Sequence, residues 1–242
     1  MQMKRYAAEL VGTFILVMVG SMTILSAVET RLVMVPFGFG LGLLAAIYAV
    51  GHVSGGHFNP AVTLAMYLDN RTDARDLVGY WISQFVGAIL ASLVLLLVSN
   101  QTAVAETTTS YLTLPLGITS ELVLTTVFVL VVLASTRTAP ATAGIAISLT
   151  LVAVHFAGIP FSGSSVNPAR SLAPALVGGR LGGLWVYLVM PLVGGGVPWG
   201  RGQFCQPEDQ AEVAEEATEP EVGGTGLPEP GSVPATERAD AD

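Results

Sequence analysis

Charge is scarce along this chain, and its acidic excess lies at one end. Charged residues make up 12% of the 242 positions and hydrophobic ones 52%, against about 25% charged in an ordinary soluble domain. So little polar side chain cannot solvate the surface of a soluble globule, and a membrane-embedded protein is the first reading. Cysteine is all but absent. Cys205 stands alone, so no intrachain disulfide can form and nothing follows about an oxidising compartment. Also missing are His/Cys/carboxylate spacings suited to a metal, a glycine-rich phosphate loop, and a basic patch suited to nucleic acid. No metal, no cofactor and no nucleic-acid partner are therefore expected.

The net charge of −8 has a location. Residues 1–202 hold nine Lys/Arg and seven Asp/Glu, whereas residues 203–242 hold one Arg and eleven acids. Residues 1–202 read as a transmembrane domain, and 203–242 as an acidic tail whose Glu, Pro, Gly, Ala and Thr cannot build a core and predict disorder. The basic start, Met1 to Arg5, precedes an apolar run of about 20 residues without an obvious cleavage site, which predicts a retained first span rather than a signal peptide.

Spanning the hydrocarbon core takes about 20 apolar residues. Six segments approach that size: Ala7–Ala27, Val33–Val50, Leu77–Val98, Pro115–Ser135, Ala141–Ile159 and Leu181–Gly200. Two shorter apolar stretches, Pro60–Leu68 and Pro168–Val177, follow Gly/Ser-rich segments and read as re-entrant half-helices. Basic residues favour the cytoplasmic side of short loops. With the N-terminus inside, Lys4, Arg5, Arg71, Arg75, Arg137 and Arg201 fall inside, and Arg31 and Arg180 outside. Both termini are then expected in the cytoplasm of a multi-pass cell-membrane protein.

The chain repeats itself. Ser54-Gly-Gly-His-Phe-Asn-Pro-Ala-Val-Thr-Leu-Ala65 aligns with Ser162-Gly-Ser-Ser-Val-Asn-Pro-Ala-Arg-Ser-Leu-Ala173, with seven of twelve positions identical. Upstream, Glu9-Leu-Val-Gly-Thr13 aligns with Glu121-Leu-Val-Leu-Thr125. Each copy, about 6–98 and 115–200, has three spans, so the second enters the membrane from the opposite side. In such inverted repeats the site lies at the repeat interface near the midplane, where broken helices end.

The paired motifs Asn59-Pro60-Ala61 and Asn167-Pro168-Ala169 supply those ends. Asn is a favoured N-cap and Pro a favoured first helical residue. Two half-helices entering from opposite faces direct the positive ends of both dipoles at the midplane, where they repel a cation or a proton. The amide suits this place better than Asp or Ser because its oxygen can cap the helix while its NH2 donates to a passing water. A water held by two such donors turns its hydrogens away and cannot accept from its neighbour. The proton-relaying wire is broken there.

From residue 6 to about 200 the chain resembles the aquaporin family. The likeness rests on the paired motifs, the Ser-Gly-Gly-His-Phe-Asn-Pro-Ala-Val and Asn-Pro-Ala-Arg-Ser strings, and the Glu of each first span. It implies an all-α membrane fold of six transmembrane helices plus two re-entrant half-helices, with water as permeant, a lipid surround and a homotetramer. It also implies an outer constriction, carried over by spacing to Phe39, His155, Ser164 and Arg170, the pattern of water-selective members. An aromatic and an imidazole would narrow the passage, guanidinium and imidazole N–H groups would replace water's lost hydrogen bonds, and the charge of Arg170 would oppose cations. By the same resemblance Glu9 and Glu121 accept backbone N–H groups of their own repeat's loop, around His57 and Ser165. His52 and His57 read as loop braces rather than metal ligands, and the Gly-rich spans, Gly38–Gly42 and Gly194–Gly196, as places of close helix approach.

A glycerol-type facilitator is the alternative. By resemblance such members carry a small residue in place of His155 and an Asp in place of Ser171. Ser164 is smaller than some alternatives, which leaves a small neutral solute or a gas open. It also replaces the Cys of many water-selective members, so mercurial block through that position is expected to fail. A more distant alternative, an intramembrane serine hydrolase, rests on the Gly-x-Ser-x string at Gly163–Val166 and does not account for the duplication. A secondary transporter would need more charged lumen residues than Glu9, Glu121 and Arg170. The expectation is a passive channel that conducts water in single file, excludes protons and ions, and is not an enzyme.

Overall fold

The computed structural model describes residues 2–27 and 29–198. Tail residues 203–242, Cys205 and Arg201 lie outside the described residues. The helices are α1 (Gln2–Ser26), α2 (Arg31–Ser54), α3 (Pro60–Leu68), α4 (Ala74–Val98), α5 (Gln101–Glu106), α6 (Leu114–Thr138), α7 (Ala143–Ser162), α8 (Pro168–Gly178) and α9 (Leu184–Gly196). No strand occurs among the described residues. Five helices, α1, α2, α4, α6 and α7, are 20 to 25 residues long and apolar enough to cross a membrane. The sixth, α9, has 13 residues. It begins at Leu184, three residues later than expected, because Gly183 adopts φ 73° at its N-terminus.

Local chemistry sets the other ends. Asp73 caps α4 by accepting the Asp76 N–H at 2.7 Å, which starts that helix three residues before the apolar run. Thr113 caps α6. Gly55 (φ 95°) ends α2 and Gly163 (φ 75°) ends α7, the same αL stop in both repeats. Within α2 the turn Ile47–Gly51 is a π-helix, an insertion that re-aims the chain before it enters the loop.

The repeats embrace. α1 packs on α2 and α4, and its counterpart α6 packs on α7 and α9. Half-helix α3 also packs on α9 and α6 of the other repeat, and half-helix α8 on α4 of the first. Close approach needs glycine at one symmetric pair. A Cβ on Gly87 would lie 2.2 Å from the carbonyl oxygen of Leu10, and one on Gly194 would lie 2.6 Å from that of Leu122. Large apolar side chains such as Met22, Ile82 and Leu149 face outward, half or more exposed, as lipid-facing residues of a multi-pass membrane protein do. Polar side chains gather inside instead: Glu9, Thr13, Gln84, Glu121, Thr125 and Ser171 are all fully buried.

Candidate functional site

Both Asn-Pro-Ala motifs start half-helices. Asn59 accepts the Ala61 N–H at 2.9 Å; Asn167 accepts those of Ala169 at 3.0 Å and Arg170 at 3.3 Å. Pro60 and Pro168 each occupy the first helical position, where a missing N–H costs nothing. The residues before the asparagines, Phe58 and Val166, both sit at φ 46°. That is the left-handed region, rare for a bulky Phe or a β-branched Val and of order 1 kcal/mol or more in strain.

This backbone strain aims two carbonyls across the repeat boundary. Asn59 Nδ2 donates to the Val166 carbonyl at 2.7 Å, and Asn167 Nδ2 donates to that of Phe58 at 2.9 Å. The sequence reading gives the whole NH2 group to the lumen, and the structure corrects it: one N–H of each amide ties the repeats together and one remains. Both side chains line a chamber of about 20 Å³, the room of about one water molecule.

Two buried carboxylates hold the strained loops. Glu9 accepts from Ser54 Oγ (2.7 Å), the His57 N–H (3.0 Å), the Phe58 N–H (2.7 Å) and Gln84 Nε2 (2.8 Å). Glu121 accepts from Ser162 Oγ (2.8 Å) and the N–H groups of Ser165 (2.8 Å) and Val166 (2.9 Å). A buried carboxylate is tolerated when its lone pairs are filled in this way. Sequence reasoning missed Gln84, whose counterpart in the second repeat is Pro191, so no internal likeness points to it. It also missed Tyr80 and Tyr187, whose hydroxyls donate to the carbonyls of Ser54 (2.6 Å) and Ser162 (2.8 Å). These two lie 107 positions apart, close to the 108 of the motifs, so a longer repeat alignment would have found them.

Phe39, His155 and Arg170 come together at the chamber. The Phe39 ring stacks on His155 with centroids 4.8 Å apart, and the Arg170 guanidinium lies 4.7 Å from the same ring's centroid. His155 Nδ1 is 2.9 Å from the Leu151 carbonyl. A carbonyl only accepts, so Nδ1 carries a proton, and in the neutral tautomer that this bond selects Nε2 is the acceptor. The sequence reading makes the imidazole a donor to water; the Leu151 bond reverses that. Nε2 and Arg170 Nε are buried without a partner, while Arg170 Nη1 donates to the Thr107 carbonyl at 3.3 Å.

Ser164 does not join these three. It is fully buried at φ 49°, and its hydroxyl donates to the Val154 carbonyl at 3.1 Å. Its side chain is thus directed at α7 rather than at the chamber. His57 does more than brace. Its Nδ1 lies 3.2 Å from Thr63 Oγ1, and the ring lines both the central chamber and a second cavity of about 20 Å³ that also touches Phe128, Met66 and Thr136. His52 is exposed, and no hydrogen bond among the described residues engages its side chain. The remaining wall of the central chamber holds Ser165 and the apolar Leu16, Leu43, Phe128 and Leu151; in sequence these four are indistinguishable from packing residues.

Arg170 also borders a wider vestibule of about 250 Å³. Vestibule, chamber and second cavity adjoin in that order, sharing Arg170 at one junction and Leu43, His57 and Phe128 at the other. A larger cleft of about 670 Å³, beside Arg5, Asn70, Arg71 and Asp76, shares no lining residue with them. Of its arginines, Arg71 pairs at 3.7 Å with Asp69, which also pairs with Arg137 at 2.7 Å, and Arg5 pairs with Asp76. Burial lowers the pKa of the Arg71 guanidinium, against the opposing pull of Asp69.

Comparison with known proteins gives this geometry a context. The sequence model of the major intrinsic protein family matches residues 1–198. The chain belongs to that family, the aquaporins and their relatives. This major intrinsic protein is 40% identical over 230 residues to a protein named Aquaporin Z from Photorhabdus laumondii, covering 86% of this chain and all of that one. It is 38% identical to the Aquaporin Z of Rhodopseudomonas palustris, covering 81% and 90% of the two chains. It is equally 38% identical to the Glycerol uptake facilitator protein-like 6 of Lactiplantibacillus plantarum, over 79% and 93%. Among solved structures, the aquaglyceroporin of Plasmodium falciparum superposes with a TM-score of 0.73 at 22% identity, covering 90% of this chain and all of that one. At that identity the likeness speaks to the fold, and it supports the aquaporin-like arrangement of six spans and two half-helices.

Proposed function

We propose that this major intrinsic protein is a passive channel that carries water in single file and excludes protons and ions. One observation carries the reading. The Asn59 and Asn167 amides line a chamber with room for about one water, each with one N–H bonded across the repeat boundary and one left to donate. A water between them accepts from both and directs its hydrogens away from the midplane, which interrupts proton relay. Both half-helix N-termini add a positive potential there.

The constriction acts one step earlier. A water beside Arg170 and His155 accepts from the guanidinium and donates to His155 Nε2, the two partnerless atoms of the filter. The apolar side chains of Leu16 and Leu151 leave the rest of its surface without partners. Phe39 holds the other two in register by stacking. Ser164 contributes through its loop's backbone course rather than through its hydroxyl.

Glycerol transport is the second reading, favoured by the likeness to the Lactiplantibacillus plantarum protein. Against it stand His155 in the chamber wall and Ser171, which bonds Ser165 and Thr109 instead of presenting a carboxylate. A hydrolase has no support: among the described residues the hydroxyls of Ser164 and Ser165 donate to carbonyls, and neither bonds an imidazole.

The basic-residue bias supports a cell-membrane protein with both termini in the cytoplasm, so that the vestibule faces outward. The outward-facing apolar helices also suit a homotetramer, with residues 1–202 as the channel and 203–242 as an appended tail. The test is osmotic shrinkage of proteoliposomes followed by light scattering, with sucrose and then glycerol outside and a pH dye inside. Rapid shrinkage without glycerol re-swelling or proton leak is expected. Shrinkage no faster than in empty liposomes would overturn the proposal, and rapid re-swelling would favour glycerol.

A further inference from the structure

The vestibule is electrostatically lopsided. Three guanidinium groups line its 250 Å³, those of Arg31, Arg170 and Arg180, against one carboxylate, Glu106. Among the described residues the ion pairs are Arg5–Asp76, Arg71–Asp69 and Arg137–Asp69, and none engages these three arginines or Glu106. Arg31 and Arg180 are exposed, held only by contacts of 3.5 Å to the carbonyls of Ile24 and Ala105. Arg170, 96% buried, keeps a partnerless Nε, and Thr108, on the same wall, keeps a partnerless buried Oγ1. Water filtration uses one arginine here; it has no use for the other two.

We infer that this vestibule is a binding site for a small doubly charged oxyanion of the sulfate or phosphate type, which plugs the water path from that side. Guanidinium groups match oxyanion geometry with paired N–H donors, and Thr108 adds a hydroxyl. An anion seated on Arg170 goes no further, because the adjoining chamber of about 20 Å³ admits about one water, too little for a sulfate-sized ion, and Leu16, Leu43, Phe128 and Leu151 in its wall offer no hydrogen bonds. The site converts the positive field that repels cations into a brake set by anion concentration. The plugging rests on the pore reading above; the binding does not.

The test uses sulfate in two measurements, each at constant ionic strength against chloride to remove general screening. Calorimetric titration of the full chain in detergent is expected to show saturable sulfate binding, weakened in Arg31→Ala/Arg180→Ala and strengthened in Glu106→Gln. In proteoliposomes, sulfate on both sides is expected to lower osmotic water permeability about two-fold or more, since field-guided anions collect at such a mouth. Arg31→Ala/Arg180→Ala, whose side chains lie outside the narrow chamber, is expected to conduct water as before and to escape the sulfate effect. Absence of binding to the parent protein overturns the site, as does binding that the double variant retains in full. Binding with no loss of permeability overturns the plug. A protein that binds sulfate but carries no water in chloride overturns the pore reading and leaves the anion site standing.

Discussion

Asn59 Nδ2 and the carbonyl oxygen of Val166 meet at 2.7 Å across 107 residues of sequence. With the reciprocal bond from Asn167 to Phe58, it makes each motif both the cap of its own half-helix and a clasp on the other repeat. The two roles use different atoms of one amide, which is why no other side chain of this size serves.

Asn59→Asp keeps the capping oxygen and loses the donor. The Val166 carbonyl is then buried without a partner, at a cost of about 1–3 kcal/mol, and a negative charge enters the chamber. Thermal unfolding in detergent is expected to shift down, and proteoliposomes to gain a cation leak. An unchanged melting temperature would show that the clasp bond contributes nothing.

Glu9 and Glu121 are predicted to differ. Gln at either position turns an NH2 toward backbone N–H donors that need an acceptor. Glu9 serves four donors and Glu121 three, so Glu9→Gln is expected to be the more destabilising, with each unmet donor costing about 1–3 kcal/mol. The opposite ranking in melting temperature would contradict this account.

Gly12 and Phe58 occupy the places that Leu124 and Val166 take in the second repeat. A Cβ on Gly12 would lie 2.1 Å from the Phe58 ring, so the ring fills the space that a side chain at position 12 would take. Gly12→Leu alone is expected to cost about 1–3 kcal/mol by overpacking, and Gly12→Leu/Phe58→Val to recover most of it. A double-mutant cycle measures the coupling; additive losses would refute the exchange.

Phe39→Ala removes the ring on which His155 stacks and against which the Arg170 guanidinium lies. Water flux is expected to persist and glycerol entry to rise, read as re-swelling in the osmotic assay. Glycerol exclusion as tight as in the parent would mean that Phe39 does not set the width.

Mercurials are expected to leave water flux intact. Ser164 has no thiol, and its side chain is buried against α7. Strong mercurial block in Cys205→Ser would show a reactive site of another kind.

Much of this was legible in the sequence because it is local or repeated. Pro60 and Pro168 mark half-helix starts wherever they stand, the apolar runs have the length the bilayer requires, and the loop–carboxylate pairings of Glu9 and Glu121 recur at nearly one offset. Length and pattern alone also distinguished the spans from the half-helices. What the tertiary structure decided depends on which groups packing brings together. The amide clasp, the tautomer of His155, the turning of Ser164 toward Val154, the addition of Gln84 to Glu9 and the gathering of Arg31 and Arg180 beside Arg170 all join residues on different turns or different helices. Hydrogen bonds act over about 3 Å, and residue type and spacing do not specify distance at that scale; the close packing of the two inverted repeats does.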